Sequence, residues 1–204
     1  MNRTASLRAA GLVGALVLAP VAARAQATVG QPAPAFSAPD QTGATRSLDA
    51  YKGKWVVLEW VNHECPFVQK HYGSGNMQKT QKAATAKGAV WLSVNSSAPG
   101  KQGAMDGKLA ASLTSQKHAT PTAVLLDPDG TIGRAYGAKT TPHMFVIDPK
   151  GTVVYAGAVD DKPSTDQADV KTARNYVLTA LDEAMAGKPV SVASTQPYGC
   201  SVKY

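Results

Sequence analysis

No dense run of basic residues occurs in the 204-residue chain, although its formal net charge is +7. A nucleic-acid surface needs clustered Lys and Arg, so that class of function is excluded. Beyond the first 27 residues no segment is apolar for long enough to cross a bilayer, which takes about 20 such residues in a helix. A soluble mature chain without a membrane span is predicted. Internal repeats, low-complexity segments and a second domain boundary are also missing. Cysteine is scarce, with two residues, Cys65 and Cys200, 135 positions apart, the second in the extreme tail. That number rules out a disulfide-dense scaffold. No cysteine follows the apolar N-terminal run, so a lipid anchor is not expected.

The N-terminus itself carries Arg3 and Arg8, an apolar stretch from Ala9 to Ala23, and then Ala23-Arg24-Ala25-Gln26-Ala27. A basic start, a short apolar middle and alternating small residues form the pattern of a secretory leader. Residues 1–27 are therefore predicted to be a signal peptide cleaved near Ala25 or Ala27. Export, to a periplasm, is the expected location, and an oxidising compartment would permit the two cysteines to pair. Three of the positive charges lie in this leader, so the mature chain is only mildly basic. Residues 28–204 have the size of one domain with a proper core.

Along that domain, Val29–Pro39 with its three prolines reads as an extended lead-in. Trp55–Val61 is a short, nearly continuous apolar run, the pattern of a central strand buried on both faces. Pro66 suits the first position of a helix, which should run to Tyr72, falter at Gly73 and Gly75 and resume over 77–87. Strands are predicted over 89–95, 122–127 and 143–148, the last turning at Pro149-Lys150-Gly151 into 152–158 as a hairpin. Helices are predicted over 108–117, 132–136 and 169–186. The last has Val170, Ala173, Val177, Leu181 and Ala184 on one stripe. Residues 188–204 read as an irregular tail carrying Cys200. Alternating strands and helices followed by a hairpin and a terminal helix predict an α/β sandwich with a mixed sheet.

Cys65 follows the buried strand directly and precedes the helix. A thiol at a helix N-terminus faces the positive end of the macrodipole and free N–H groups, which favour thiolate. Thiolate is the nucleophile in disulfide exchange and in attack on peroxide. His63 and Lys70 are candidates for adding positive charge, and the neighbouring Glu64 opposes them. The plain alternative is a buried cysteine acting as a small hydrophobe.

An ordered set of motifs extends over nearly all of residues 28–204. It comprises Gly30-Gln31-Pro32-Ala33-Pro34-x-Phe36, Leu48-x-x-Tyr51-x-Gly53-Lys54, Trp60-Val61-Asn62-His63-Glu64-Cys65-Pro66-Phe67-Val68 and Thr141-Pro142-His143-Met144-Phe145-Val146-Ile147-Asp148-Pro149-x-Gly151. The set resembles the peroxiredoxin-like, redoxin branch of the thioredoxin superfamily, the alkyl hydroperoxide reductase and thiol-specific antioxidant type. The resemblance implies a thioredoxin-like fold with a central mixed sheet flanked by helices. It matches Cys65 to the first, exposed cysteine of a C-x-x-C site, with Val68 where the second would stand. It matches Pro142 to the cis-proline that lines the substrate groove, so the Thr141–Pro142 bond is predicted to be cis. The peroxidase machinery of true peroxiredoxins is not matched. Their peroxidatic cysteine falls at Val68, their Thr or Ser at Cys65, their proline at Val61, and their later arginine at Pro142.

The resemblance leaves Cys65 without a local resolving partner and points to Cys200, with Gly199 letting the tail turn and Tyr198, Val202 and Tyr204 anchoring it. A Cys65–Cys200 disulfide within one chain is predicted. It can serve as a redox couple in an oxidoreductase that takes a protein or small-molecule disulfide or thiol and needs an external thiol reductant. It can equally staple a non-catalytic binding module, contributing about 5 kcal/mol by loop entropy. Pro66, Thr141, Pro142, His143 and His63 are the expected groove and thiol-tuning residues. No cofactor is required. A copper or zinc carrier using Cys65, His143 and Cys200 is a third possibility. His71, about 240° round the helix from Cys65, should face elsewhere. His71 and His118 are expected to bond backbone, and Asp160-Asp161 to form a solvated turn.

Overall fold

The computed structural model describes residues 26–204. The predicted leader lies outside the described residues except for its last two positions.

A short hairpin opens the fold, β1 (Ser37–Pro39) pairing antiparallel with β2 (Thr45–Ser47). β3 (Val56–Trp60) then enters the middle of the molecule, and all five of its residues are buried. Helices α1 (Pro66–Gly73) and α2 (Asn76–Ala86) lead to β4 (Val90–Asn95). Helix α3 (Gly107–Gln116) leads to β5 (Ala123–Leu126), and helix α4 (Thr131–Tyr136) leads to β6 (Thr140–Thr141) and β7 (His143–Ile147). Then come β8 (Val153–Gly157), helix α5 (Tyr176–Met185) and, in the tail, β9 (Cys200–Ser201).

The main sheet has the order β5-β4-β3-β7-β8. β3, β4 and β5 are parallel, while β7 and β8 run antiparallel to their neighbours, giving the mixed sheet expected. Strand side chains alternate between faces, and two cores result. Val56, Leu58 and Trp60 of β3 pack with Leu92, Phe145, Ile132 and Tyr136 on one face. Val57 and Val61 pack with Trp91, Met144, Val68, Met77, Val177 and Leu181 on the other. Central strands with both faces covered must be apolar nearly throughout, and that is why this one stood out in the sequence. Trp60, Tyr136 and Phe145 meet with ring centroids 5.3–5.4 Å apart, so few aromatics suffice because they are concentrated at one point.

One helix prediction is corrected. The stripe over 169–186 does not form a continuous helix: a 3-10 turn over Gln167–Lys171 ends first, and α5 starts only at Tyr176. Asn175 caps α5 by accepting from the Leu178 N–H at 3.0 Å, and its amide donates to Thr80 Oγ1 at 2.8 Å. An Asn that satisfies an orphan N–H competes with helix continuation, and Asn175 also bridges to Asp160. Only Val177, Ala180 and Leu181 of that region are buried in the helix. Replacing Asn175 by Ala should destabilise the protein by about 1–2 kcal/mol, read as a lower urea midpoint at unchanged m-value.

Candidate active site

The end of β3 and the start of β7 lie side by side, because Trp60 pairs with His143. That register brings the segment after Trp60, with Cys65, next to the residues just before His143, Thr141 and Pro142. The Thr141–Pro142 bond is cis, as predicted. Cys65 is the N-cap of α1 with extended backbone, and Pro66 occupies the first helical position. The Cys65 thiol donates to the Thr141 carbonyl at 3.0 Å.

The tail completes the site. β9 lies antiparallel to β6, with Cys200 opposite Thr141 and Ser201 opposite Thr140. The Cys200 N–H lies 3.5 Å from Cys65 Sγ. Both cysteines are free thiols here. The expectation of an exposed Cys65 is corrected: its exposure is 0 %, and Cys200 packs on the same apolar cluster. The last strand of the chain covers the sulfur, which is why a helix-capping cysteine is closed off from water. Gly199 permits that approach, since its φ is +140° and a Cβ there would lie 2.1 Å from the Thr141 carbonyl oxygen.

Burial pushes the Cys65 thiol up, but hydrogen bonds from the Cys200 thiol, the Val68 N–H and the Cys200 N–H outweigh it. Cys65 therefore stands below the ordinary cysteine value. Cys200 is pushed up to about 11 by its own burial and by its hydrogen bond to, and repulsion from, an ionised Cys65. The two thiols thus differ in acidity, Cys65 being the more easily ionised and Cys200 the less.

Burial shapes the other candidate tuning residues. His63 is held below its usual value by burial and is neutral near pH 7, so it adds no positive charge. Lys70 is fully buried, donates to the Lys162 carbonyl at 2.6 Å and lies 5.6 Å from the Tyr198 ring centroid. Its charge serves the tail. His143 is lowered to about 4 by burial, receives the Lys139 N–H on Nδ1 at 3.3 Å and packs on Phe145. Among the described residues no three His, Cys, Asp or Glu side chains converge to hold a metal ion. The Cys65–His143–Cys200 alternative for copper or zinc therefore gains no support.

Two features escaped the sequence reading. Glu59 sits in the middle of β3, fully buried, accepting from Tyr72 Oη, Trp91 Nε1, Ser93 Oγ and Gln81 Nε2 at 2.8–3.3 Å. Burial raises its carboxyl above the usual range against those four donors. A lone Glu within Trp55–Val61 was the available signal. His71 and Asp160 form the second. His71 bonds side chains, Tyr198 Oη at 3.1 Å and Asn76 Nδ2 at 2.8 Å, rather than backbone. Asp160 is 2 % exposed and takes the Tyr198 hydroxyl, so the solvated turn expected there is corrected. His118, by contrast, is exposed, with φ +50°.

Comparison with known proteins agrees with this geometry. A family model described as the AhpC/TSA family matches residues 29–156. No curated protein matches the chain. A hypothetical protein from Sinorhizobium meliloti 1021 superposes with a TM-score of 0.73 at 22 % identity, over 88 % of this chain and 96 % of that one. A putative thiol:disulfide interchange protein DsbE from Chlorobium tepidum is 28 % identical, with a TM-score of 0.55 over 76 % of this chain and 99 % of that one. A secreted disulfide oxidoreductase from Mycobacterium tuberculosis has a TM-score of 0.50 at 20 % identity, over 67 % of this chain and 92 % of that one. The fold is thioredoxin-like.

The site makes a titration testable. The Cys200 thiol is the largest of the groups holding Cys65 down, so Cys200→Ala should raise the Cys65 pKa. At pH 7 the thiolate fraction, and with it the alkylation rate, would be cut by the same change unless access improves. Thiolate absorbance followed against pH separates the two effects, and a midpoint unmoved by the substitution contradicts the assignment.

Proposed function

This chain belongs to the AhpC/TSA family, and from that premise we propose that it is a thiol–disulfide oxidoreductase with Cys65 as nucleophile and Cys200 as resolving cysteine. The observation that carries the reading is the position of Cys200, its N–H 3.5 Å from Cys65 Sγ, in a strand laid beside the cis-proline segment. The likeness to the putative thiol:disulfide interchange protein DsbE of Chlorobium tepidum supports the same chemistry. Residues 1–27 serve as the export leader, 28–187 as the redoxin domain and 188–204 as the tail that supplies the second thiol. The periplasm is the compartment that fits such a leader.

In the forward step the Cys65 thiolate attacks one sulfur of a substrate disulfide. A mixed disulfide forms and the other substrate sulfur leaves as thiolate, taking up a proton. Cys65 is then uncharged, so the repulsion and hydrogen bond that held Cys200 protonated disappear. Cys200 ionises more easily at that moment and attacks the Cys65 sulfur. The second substrate thiolate leaves, and the chain holds a Cys65–Cys200 disulfide. One substrate disulfide has been reduced to two thiols while two protein thiols have become one disulfide. An external thiol reductant reverses the second change.

Peroxide reduction by the mechanism of true peroxiredoxins is not proposed, because Val68, Cys65, Val61 and Pro142 occupy the positions those enzymes use. The complete burial of Cys65 favours one rival, a binding module in which the same disulfide is a staple. Equilibration with glutathione and mass spectrometry under non-reducing conditions separates the two. A redox couple should form the Cys65–Cys200 bond in oxidised glutathione and release it within the poise of thiol reductants. It should also reduce a model peptide disulfide, an activity lost in Cys65→Ser. A bond that glutathione cannot open, or a peptide disulfide left intact by the reduced protein, would speak for the staple.

A further inference from the structure

The tail reaches Cys65 by way of a buried polar seat that the two thiols do not explain. Tyr198, two residues before Cys200, places its ring against Phe67 of α1, with centroids 5.8 Å apart. Its hydroxyl donates to Asp160 Oδ1. His71 Nε2 approaches the same hydroxyl at 3.1 Å, and His71 Nδ1 meets the Asn76 amide at 2.8 Å. One assignment of protons satisfies all three contacts. Asn76 donates to Nδ1, Nε2–H donates to the Tyr198 oxygen, and that hydroxyl donates to Asp160. His71 is neutral in this chain, as its value of about 4, lowered by burial, requires at pH 7.

Asp160 and His71 are 2 % and 0 % exposed, and Lys70 beside them is 1 % exposed. Burying an acid, a histidine and a lysine costs free energy unless each is bonded. Tyr198 supplies a partner to both Asp160 and His71, and Lys70 lies over its ring. The seat is built on α1, the helix that Cys65 caps, and the Tyr198-Gly199-Cys200 link carries the tail from the seat to the sulfur. Beyond Cys200 the strand continues with Val202 N–H to Lys139 O at 3.1 Å, Ala98 N–H to Lys203 O at 2.7 Å, and Tyr204 Oη to Ala138 O at 2.8 Å. The tail is thus held at both ends, with Cys200 between.

We propose that Tyr198 is the positioning residue of the Cys65–Cys200 couple: seated between His71 and Asp160, it holds the tail strand on Thr140–Thr141, delivers Cys200 to Cys65 and screens Cys65 from bulk reagents. This rests on the reading of the two cysteines as a redox pair. A docked tail keeps the second thiol at high effective concentration. A tail freed from its seat gains freedom in the reduced protein that the disulfide must take away again, so the disulfide becomes easier to open. The same release uncovers Cys65.

The test uses the full chain with glutathione as the exchange partner. Cys65 attacks glutathione disulfide, releasing one glutathione, and Cys200 displaces the second, so two protein thiols and one glutathione disulfide give one protein disulfide and two glutathione thiols. Tyr198→Phe removes the hydroxyl and keeps the ring. It should lower the equilibrium constant for the protein disulfide about tenfold, or about 30 mV for a two-electron couple. The rate at which iodoacetamide labels Cys65 in the reduced protein, read by peptide mapping, should rise by about tenfold or more once labelling is corrected for its pH dependence. Gly199→Ala attacks the docking from a different atom, the approach to the Thr141 carbonyl, in a tail residue whose change leaves the domain core untouched. It should move both readouts the same way. Wild-type values for both variants in both measurements overturn the proposal. Failure of the wild-type chain to form the disulfide would overturn the redox reading instead, and the labelling rates would still decide whether the seat screens Cys65.

Discussion

The arrangement around the Thr141 carbonyl sets everything else in the site. That oxygen accepts the Cys65 thiol, its residue pairs with Cys200 in a two-residue ladder, and the following peptide turns cis into Pro142. None of these groups can be placed independently. The antiparallel register of β3 with β7, with Trp60 opposite His143, fixes the ends from which both Cys65 and Thr141 depart. A slip by one residue would turn every side chain of the strand to the other face, exchanging the two cores. The register is therefore held by the packing of Leu58, Trp60, Phe145 and Ile147 on one face and Val57, Met144 and Val146 on the other. The core thus fixes where the strand ends stand, and the Thr141 carbonyl then holds the sulfur between them.

Enclosure works against a thiolate, and the balance has to be met locally. Removing a charge from water raises its cost, whereas each hydrogen bond to a charged group returns about 1.5–3 kcal/mol. Cys65 has the N–H of Val68, at the start of its helix, and the N–H and thiol of Cys200, so the donors prevail. Two of the three come from the tail. The same strand that shuts out water supplies the groups that make the ionised sulfur tolerable, and lid and ligand are one element. Glu59 shows the opposite outcome in the same core: four donors surround it, yet burial still leaves its carboxyl raised.

The fold was legible because its strongest signals are local. Trp55–Val61, the Pro149-Lys150-Gly151 turn and Pro66 each state their structure within a few residues, and the sheet followed from them. Cys65 at a strand–helix junction and the cis bond before Pro142 were readable in the same way, the second through family resemblance. The continuous helix over 169–186 was not, because a regular apolar stripe hides the competing cap of Asn175. The closure of Cys65 was not either: the ladder of β9 on β6 joins residues about 60 positions apart, and two-residue strands leave no periodic trace. Asp160 reads as an ordinary turn acid until Tyr198 arrives from the far end of the chain to bond it. Long-range polar contacts of this kind have no pattern in the sequence, only the suggestive presence of two tyrosines around a terminal cysteine.

The size of the closing element bears on how such a site can turn over. The tail's pairing with the domain around Cys200 consists of a few backbone hydrogen bonds, each worth about 1 kcal/mol net, together with Tyr198 and Tyr204 at its ends. Opening such a segment costs on the order of a few kcal/mol, well below the 5–15 kcal/mol of global unfolding. It can therefore leave and return many times without disturbing the sheet. In the exchange proposed above, a mixed disulfide on Cys65 would have to displace the strand from Thr140–Thr141, since the sulfur has no solvent exposure while the strand is in place. An extended peptide can replace the backbone bonds that the strand gives up, because a β-ladder is indifferent to which chain supplies the donors. A small disulfide offers no such replacement and meets the full opening cost. In the exchange proposed above, the closure would therefore favour substrates that arrive as strands, by the physics of pairing alone.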